Sequence, residues 1–181
     1  MILLAGLAMF AATNIDGLFL TAALLSERAF RTGAVVLGTY AGIGALYAAS
    51  AAGSLVSLVV PPAVIALLGL IPIAIGARQL RRREAPQTAP VGKGGVLAVA
   101  ALNIATGADN IGVYTPVFAA SSSQDIAAYG VIFAVLTGVW CYGAHALVSH
   151  PALGAPVRRY GPRLVPYVLI ALGLWILSGL F

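Results

Sequence analysis

Two aspartates of this chain stand within long apolar segments, where a charged side chain is costly. Asp16 lies in the segment AMFAATNIDGLFLTAALL, and Asp109 lies in VLAVAALNIATGADNIGVYTPVF. A carboxylate near the centre of a bilayer costs about 3 kcal/mol or more, so it faces the interior of a helix bundle and has a function. The other three carboxylates (Glu27, Glu84 and Asp125) fall in predicted loops and are interpreted as solvated charges. The sequence therefore predicts that both acids are buried and functional. The alternative is that they are structural acids, capped by backbone or hydroxyl donors.

Both acids have polar neighbours at helical spacing. Thr13 is three residues before Asp16 and shares its face, while Asn103, Thr106 and Asn110 share a face that has Asp109 at its edge. Carboxylate, amide and hydroxyl oxygens suit hard or borderline divalent cations, whereas a soft thiolate shell is missing. These residue types predict a cation site.

Further residues near the acids have two interpretations each. Gly17, Gly107, Gly112 and Pro116 would let the helices unwind and offer carbonyl oxygens, or they pack helices closely as small residues do. Cys141 and His145 are either additional ligands or ordinary packing residues, and packing is the commoner role of a lone buried cysteine.

Composition indicates the elements that must position these residues. Of the 181 residues, 61% are hydrophobic and only 8% are charged, whereas a soluble domain has about a quarter charged residues. A membrane-spanning helix needs about 20 mainly apolar residues. The chain is therefore predicted to be an all-α membrane protein with six transmembrane helices, at Ile2–Leu25, Gly33–Val59, Ala63–Leu80, Gly94–Ala120, Ile126–Ser149 and Leu164–Phe181.

The basic residues predict the orientation of these spans. With six spans, all ten lysines and arginines fall on one side: nine lie in the first, third and fifth connections, and Arg78 lies at the adjoining end of the third span. The positive-inside rule makes that side cytoplasmic and both termini extracytoplasmic, as in a multi-pass protein of a bacterial inner membrane. The net charge of +5 is spread over short loops, so nucleic acid is not predicted as a partner.

An internal repeat divides the chain in half. Ala12–Asp16 (ATNID) and Ala105–Asp109 (ATGAD) share the pattern A-T-x-x-D, and weaker echoes follow in the same order. The predicted domains are a first three-helix repeat (1–80), a basic cytoplasmic linker (81–93) and a second three-helix repeat (94–181). Because three is odd, the repeats insert with opposite orientations, as in many secondary transporters with midplane sites.

Several segments resemble the cadmium-resistance transporter (CadD-type) family of the LysE superfamily. They are ATNID (12–16), GTYAG (38–42), GLIPIAIG (69–76) and GADNIG (107–112). The resemblance implies a six-span exporter of divalent metal with one acidic motif per repeat. This chain departs from the family in having a short central loop with prolines and no cysteine beside the acidic motifs. Manganese or another divalent ion is therefore an alternative to cadmium as the substrate. The predicted metal-binding residues are Asp16, Asp109, Asn110, Asn14, Thr13 and Thr106.

The predicted function is proton-coupled export of divalent metal, cadmium-type with manganese or zinc as further options. The metal is the substrate, no cofactor is expected, and the partners are protons, the lipid bilayer and, as one option, a second copy in a homodimer. No nucleophile, phosphate-loop or zinc-protease motif appears, so an enzyme is not predicted. The alternatives are an exporter of amino acids or other small organic solutes, and a non-transporting membrane subunit.

Overall fold

The computed structural model describes residues 2–27, 30–55, 61, 67–68, 70–81, 95–149 and 166–178. As predicted, these residues are predominantly helical. Seven helices occur among them: α1 (Ile2–Ser26), α2 (Thr32–Ser54), α3 (Leu70–Arg81), α4 (Val96–Thr106), α5 (Ala108–Ala119), α6 (Ser123–Ser149) and α7 (Pro166–Leu177).

Three of the described helices, α1, α2 and α6, are long and apolar enough to cross a membrane. The α4–α5 pair makes a fourth crossing if the two helices form one bent span. The predicted third and sixth spans lie partly outside the described residues, as does nearly all of the linker at 81–93. Six spans in two inverted repeats therefore stay a prediction.

The predicted fourth span is wrong as a single helix, because the chain breaks at Gly107. The axes of α4 and α5 differ by 73° across this break, and Gly107 has φ −98° and ψ 16°, outside the helical region. A Cβ on Gly107 would lie 2.6 Å from Leu46 Cδ1, 2.9 Å from Asn103 O and 3.1 Å from Asn110 Nδ2. Glycine is required here because α2 and two asparagines approach the backbone closely.

A capping box begins α6 three residues before its predicted start. The Ser122 hydroxyl accepts from the Asp125 N–H at 3.2 Å, and the Asp125 carboxylate accepts from the Ser122 N–H at 3.3 Å. This reciprocal pairing satisfies donors that a helix start otherwise leaves free. Asp125 is therefore a residue of the first helical turn and not of the predicted loop.

Glycines let α2 pack directly on α4. A Cβ on Gly38 would overlap the Val99 side chain, and one on Gly42 would lie 2.5 Å from Asn103 Cβ and 3.0 Å from Ala100 O. Two apolar helices gain little from the hydrophobic effect inside a bilayer, so close van der Waals contact through small residues holds them together. This G-x-x-x-G contact places Asn103 against the centre of α2.

An aromatic cluster joins α1, α2, α5 and α6. Phe133 of α6 is its centre, with ring centroids 5.2 Å from Phe10, 4.9 Å from Tyr114 and 6.1 Å from Tyr47. Each such pair is worth about 0.5–1.5 kcal/mol in addition to the burial of its surface. Tyr114 belongs both to this cluster and to the polar site described next.

Candidate functional site

All six predicted site residues line one cavity between α1, α2, α4 and α5. Its empty volume is about 320 Å³, which includes space open to the outside. An adjoining cavity of about 250 Å³ shares four residues with it: Thr13, Asp16, Asp109 and Asn110. The two A-T-x-x-D motifs, far apart in sequence, thus border the same space.

The two aspartates are exposed, so the expectation of buried carboxylates is wrong for these side chains. Both nevertheless line both cavities. The amides around them are enclosed, with exposed fractions of 5% for Asn14, 5% for Asn103 and 3% for Asn110. A charged group in a membrane protein is tolerated where a cavity admits water. The acids therefore stand at the open part of the site and the amides in its wall.

The threonines of the two motifs have the same hydrogen-bond geometry. Thr13 Oγ1 donates to Met9 O at 2.9 Å and lies 3.4 Å from Phe10 O. Thr106 Oγ1 donates to Leu102 O at 2.9 Å and lies 3.4 Å from Asn103 O. Because each hydroxyl hydrogen is used within its own helix, each oxygen keeps lone pairs for another partner. The two A-T-x-x-D motifs thus have matching hydrogen bonds at this position.

Three residues outside the predicted set take part in the site or support it. The Tyr114 hydroxyl lies 2.7 Å from Thr13 Oγ1 and 2.7 Å from Asn14 Nδ2. Trp140 Nε1 donates to Asn14 O at 2.8 Å, and Asn103 lines the first cavity. One sequence signal could have identified Tyr114, because it follows Asn110 by four residues and shares its helix face.

The helix break places two helix ends beside the acids. Asp109 is in the first turn of α5, where the partial positive charge of a helix N-terminus stabilises a carboxylate by about 0.3–1 kcal/mol. Helix α4 ends at Thr106 beside the cavity, and of its last four carbonyls, which a helix end leaves without the usual partners, Asn103 O accepts the Gly107 N–H at 2.9 Å. Carbonyls at such a broken helix can coordinate a cation.

Other candidates are distant from the site or do not unwind their helices. Neither Cys141 nor His145 lines either cavity. Helix α1 continues through Gly17, and α5 continues through Gly112 and Pro116. Within the described part of the chain, no three His, Cys, Asp or Glu side chains form a metal cluster, and no Lys, Arg or His lines these cavities. The polar lining of the site thus consists of the two carboxylates together with amide and hydroxyl groups.

The comparisons with known proteins identify the family. The family model described as cadmium resistance transporter matches residues 10–179, which is nearly the whole chain. The chain belongs to this family. No curated protein and no solved structure matches it.

As a cadmium resistance transporter, the protein is a multi-pass membrane protein whose metal ion is a substrate, and metal export is the activity that its family indicates. The match includes both A-T-x-x-D motifs and every residue that lines the two cavities. The family of the suspected resemblance is thereby confirmed.

Proposed function

We propose that this protein is a secondary transporter that exports divalent metal cations through a midplane site on α1, α4 and α5. Cadmium is the substrate that the family suggests, and manganese and zinc are further candidates. One observation supports this most directly: Asp16 and Asp109 line the same two cavities, with amide and hydroxyl groups beside them. Two carboxylates offset the charge of one divalent ion, and neutral oxygens complete its shell.

Proton coupling is part of the proposal. Like charges that share a cavity repel, and either protons or a divalent cation relieves that repulsion. The two therefore compete for the same carboxylates, since a metal ligand must be deprotonated. Metal moving out and protons moving in is the exchange that this competition favours.

The proposed architecture is six spans in two inverted repeats, 1–80 and 94–181, with both termini outside a bacterial inner membrane. The matching hydrogen bonds of Thr13 and Thr106 support the repeat. The basic residues of the connections support the orientation. The break at Gly107 supports a transporter, because irregular backbone at membrane depth is tolerated where it lines a cavity.

Metal flux in liposomes tests this function. The purified protein would be reconstituted and the movement of Cd²⁺, Mn²⁺, Zn²⁺ and Mg²⁺ followed for the wild type and for D16N and D109N. Each substitution removes one of the two negative charges, so flux should fall to background. The matched control is E27Q, because Glu27 is an exposed carboxylate at the end of α1 that lines neither cavity.

The outcomes separate the parts of the proposal. Normal flux in both D16N and D109N would show that the acids are structural and that the site assignment is wrong. Absence of flux for all four metals, with folded protein, would reject the metal exporter. Flux that is unchanged when the pH gradient is collapsed would reject proton coupling and leave the metal site standing.

A further inference from the structure

The Tyr114 hydroxyl connects the two predicted repeats within the site. Tyr114 is on α5 and fully buried, and its hydroxyl has Thr13 and Asn14 of α1 as polar neighbours, together with Asn110 of its own helix. A buried hydroxyl needs partners, and these neighbours provide them. The donors and acceptors around Asn14 determine which way its amide group is oriented.

Backbone carbonyls only accept, so the Asn14 atom that lies 3.0 Å from Phe10 O is the donor Nδ2. The same Nδ2 group lies 2.7 Å from the Tyr114 hydroxyl and 3.0 Å from Thr13 Oγ1. The Tyr114 and Thr13 hydroxyls are 2.7 Å apart, and either of them can donate to the other. Three oxygen acceptors thus surround the NH₂ group of Asn14. A flipped amide would place Asn14 Oδ1 against Phe10 O, with two acceptors facing each other.

The amide oxygen of Asn14 is left for the cavity. The Nδ2 group of Asn14 faces Phe10 O, Thr13 Oγ1 and the Tyr114 hydroxyl, and among the described residues no hydrogen bond ends on its Oδ1. Asn103 Nδ2 donates to Val99 O at 2.9 Å, which uses one of its two hydrogens. Both asparagines are about nineteen-twentieths buried and line the first cavity. The polar atom that Asn14 can offer an occupant is therefore its oxygen, and Asn103 can offer its oxygen or one N–H.

We infer that Tyr114 is a positioning residue that holds Asn14 with its amide oxygen toward the transported cation, and that Asn103 is a further oxygen ligand. This inference rests on the proposed function. An amide oxygen coordinates a divalent cation, whereas an amide NH₂ presented at the same place repels it. The Tyr114 hydroxyl thus contributes to cation affinity without touching the ion, as groups that orient metal ligands do.

Cadmium binding to the purified full chain in detergent tests the inference. Removing an orienting partner of a metal ligand weakens binding about 10-fold or more, so Y114F and N14A should each raise the Kd for Cd²⁺ by about 10-fold. Because Tyr114 acts through Asn14, the double variant should bind no more weakly than N14A alone. N103A should weaken binding as well. Thermal melting of each variant reports whether it is folded.

The matched control is Y47F. It removes another tyrosine hydroxyl that bonds across helices, from Tyr47 to Ile126 O at 2.8 Å, and Tyr47 lines neither cavity. Its Kd for Cd²⁺ should equal that of the wild type.

Each of four other results would overturn one part of the inference or of the proposed function. Unchanged binding in Y114F, with binding lost in D109N, rejects the role of Tyr114 and keeps the proposed function. Effects that multiply to about 100-fold in the double variant reject action through Asn14, because independent packing effects are additive in free energy. A folded wild type that binds neither Cd²⁺ nor Mn²⁺ rejects the proposed function itself. Normal binding in N103A removes Asn103 from the ligand set.

Discussion

The helix break at Gly107 should not tolerate a single added methyl group. In G107A the new Cβ would lie 2.6 Å from Leu46 Cδ1 and 2.9 Å from Asn103 O. The leucine methyl can move, but the Asn103 carbonyl belongs to the α4 backbone. Overpacking of this kind costs about 1–3 kcal/mol, and the better helix propensity of alanine returns nothing because Gly107 lies between two helices. The expected loss is therefore about 1–3 kcal/mol.

Melting in detergent and metal flux in liposomes measure this effect. For a chain of this length each kcal/mol shifts the Tm by about 2–4 °C, so G107A should melt about 2–12 °C below the wild type. Flux should fall because the carbonyls and the first turn of α5 are displaced together. The matched control is G17A, since a Cβ on Gly17 meets nothing within 4 Å. G17A should melt at or above the wild-type Tm, because alanine favours the interior of α1. Gly17 itself lines the first cavity, so the control for flux is G44A: a Cβ on Gly44 also meets nothing within 4 Å, and Gly44 lines neither cavity.

A second substitution sharpens the test. The double variant L46A/G107A removes the overlap with Leu46 but leaves the contact with the Asn103 carbonyl. Adding G107A to L46A should therefore lower the Tm, but by less than adding G107A to the wild type. A G107A variant that melts no lower than G17A and transports metal as well as G44A would refute the reasoning, because the close approach of α2 and α4 would then have no energetic consequence.

Two further predictions concern other parts of the bundle. G42A should lower the Tm, because a Cβ there lies 2.5 Å from Asn103 Cβ, whereas G44A should not, because a Cβ on Gly44 meets nothing within 4 Å; equal melting of the two variants would contradict the G-x-x-x-G contact. C141A should retain metal flux and its dependence on metal concentration, because Cys141 lines neither cavity. A loss of cadmium flux alone in C141A would instead make the thiol a ligand.

The sequence allowed the helices and the grouping of the acids to be predicted, but not the shape of the site. Hydropathy predicts α1 and α6 to within a few residues, because a long apolar segment has few alternatives to a helix. The A-T-x-x-D repeat correctly indicated that Asp16 and Asp109 would lie together. The repeat alone could not show that these acids are exposed, because exposure depends on how the surrounding helices leave a cavity open.

The position of the helix break could not be predicted from the sequence either. Gly17, Gly107, Gly112 and Pro116 all flank the acids, yet the helix is interrupted only at Gly107 among these four. What distinguishes Gly107 is tertiary: Leu46 of α2 and the asparagines on each side occupy the space that a side chain would need. Gly17 meets no such neighbour. Such contacts between residues that are distant in the chain cannot be predicted from the local sequence.

The hydrogen-bond chain from Asn14 through Tyr114 and Thr13 to Met9 O has a consequence for proton movement. It begins at an amide N–H, which does not release its hydrogen near neutral pH, and it ends at a carbonyl, which does not take one up. A Grotthuss relay needs a group at each end that exchanges protons with its surroundings, so this chain is an insulator beside the site. In the proposed exchange of metal for protons, this chain offers protons no path, and the carboxylates that line the cavities are the groups that can take them up.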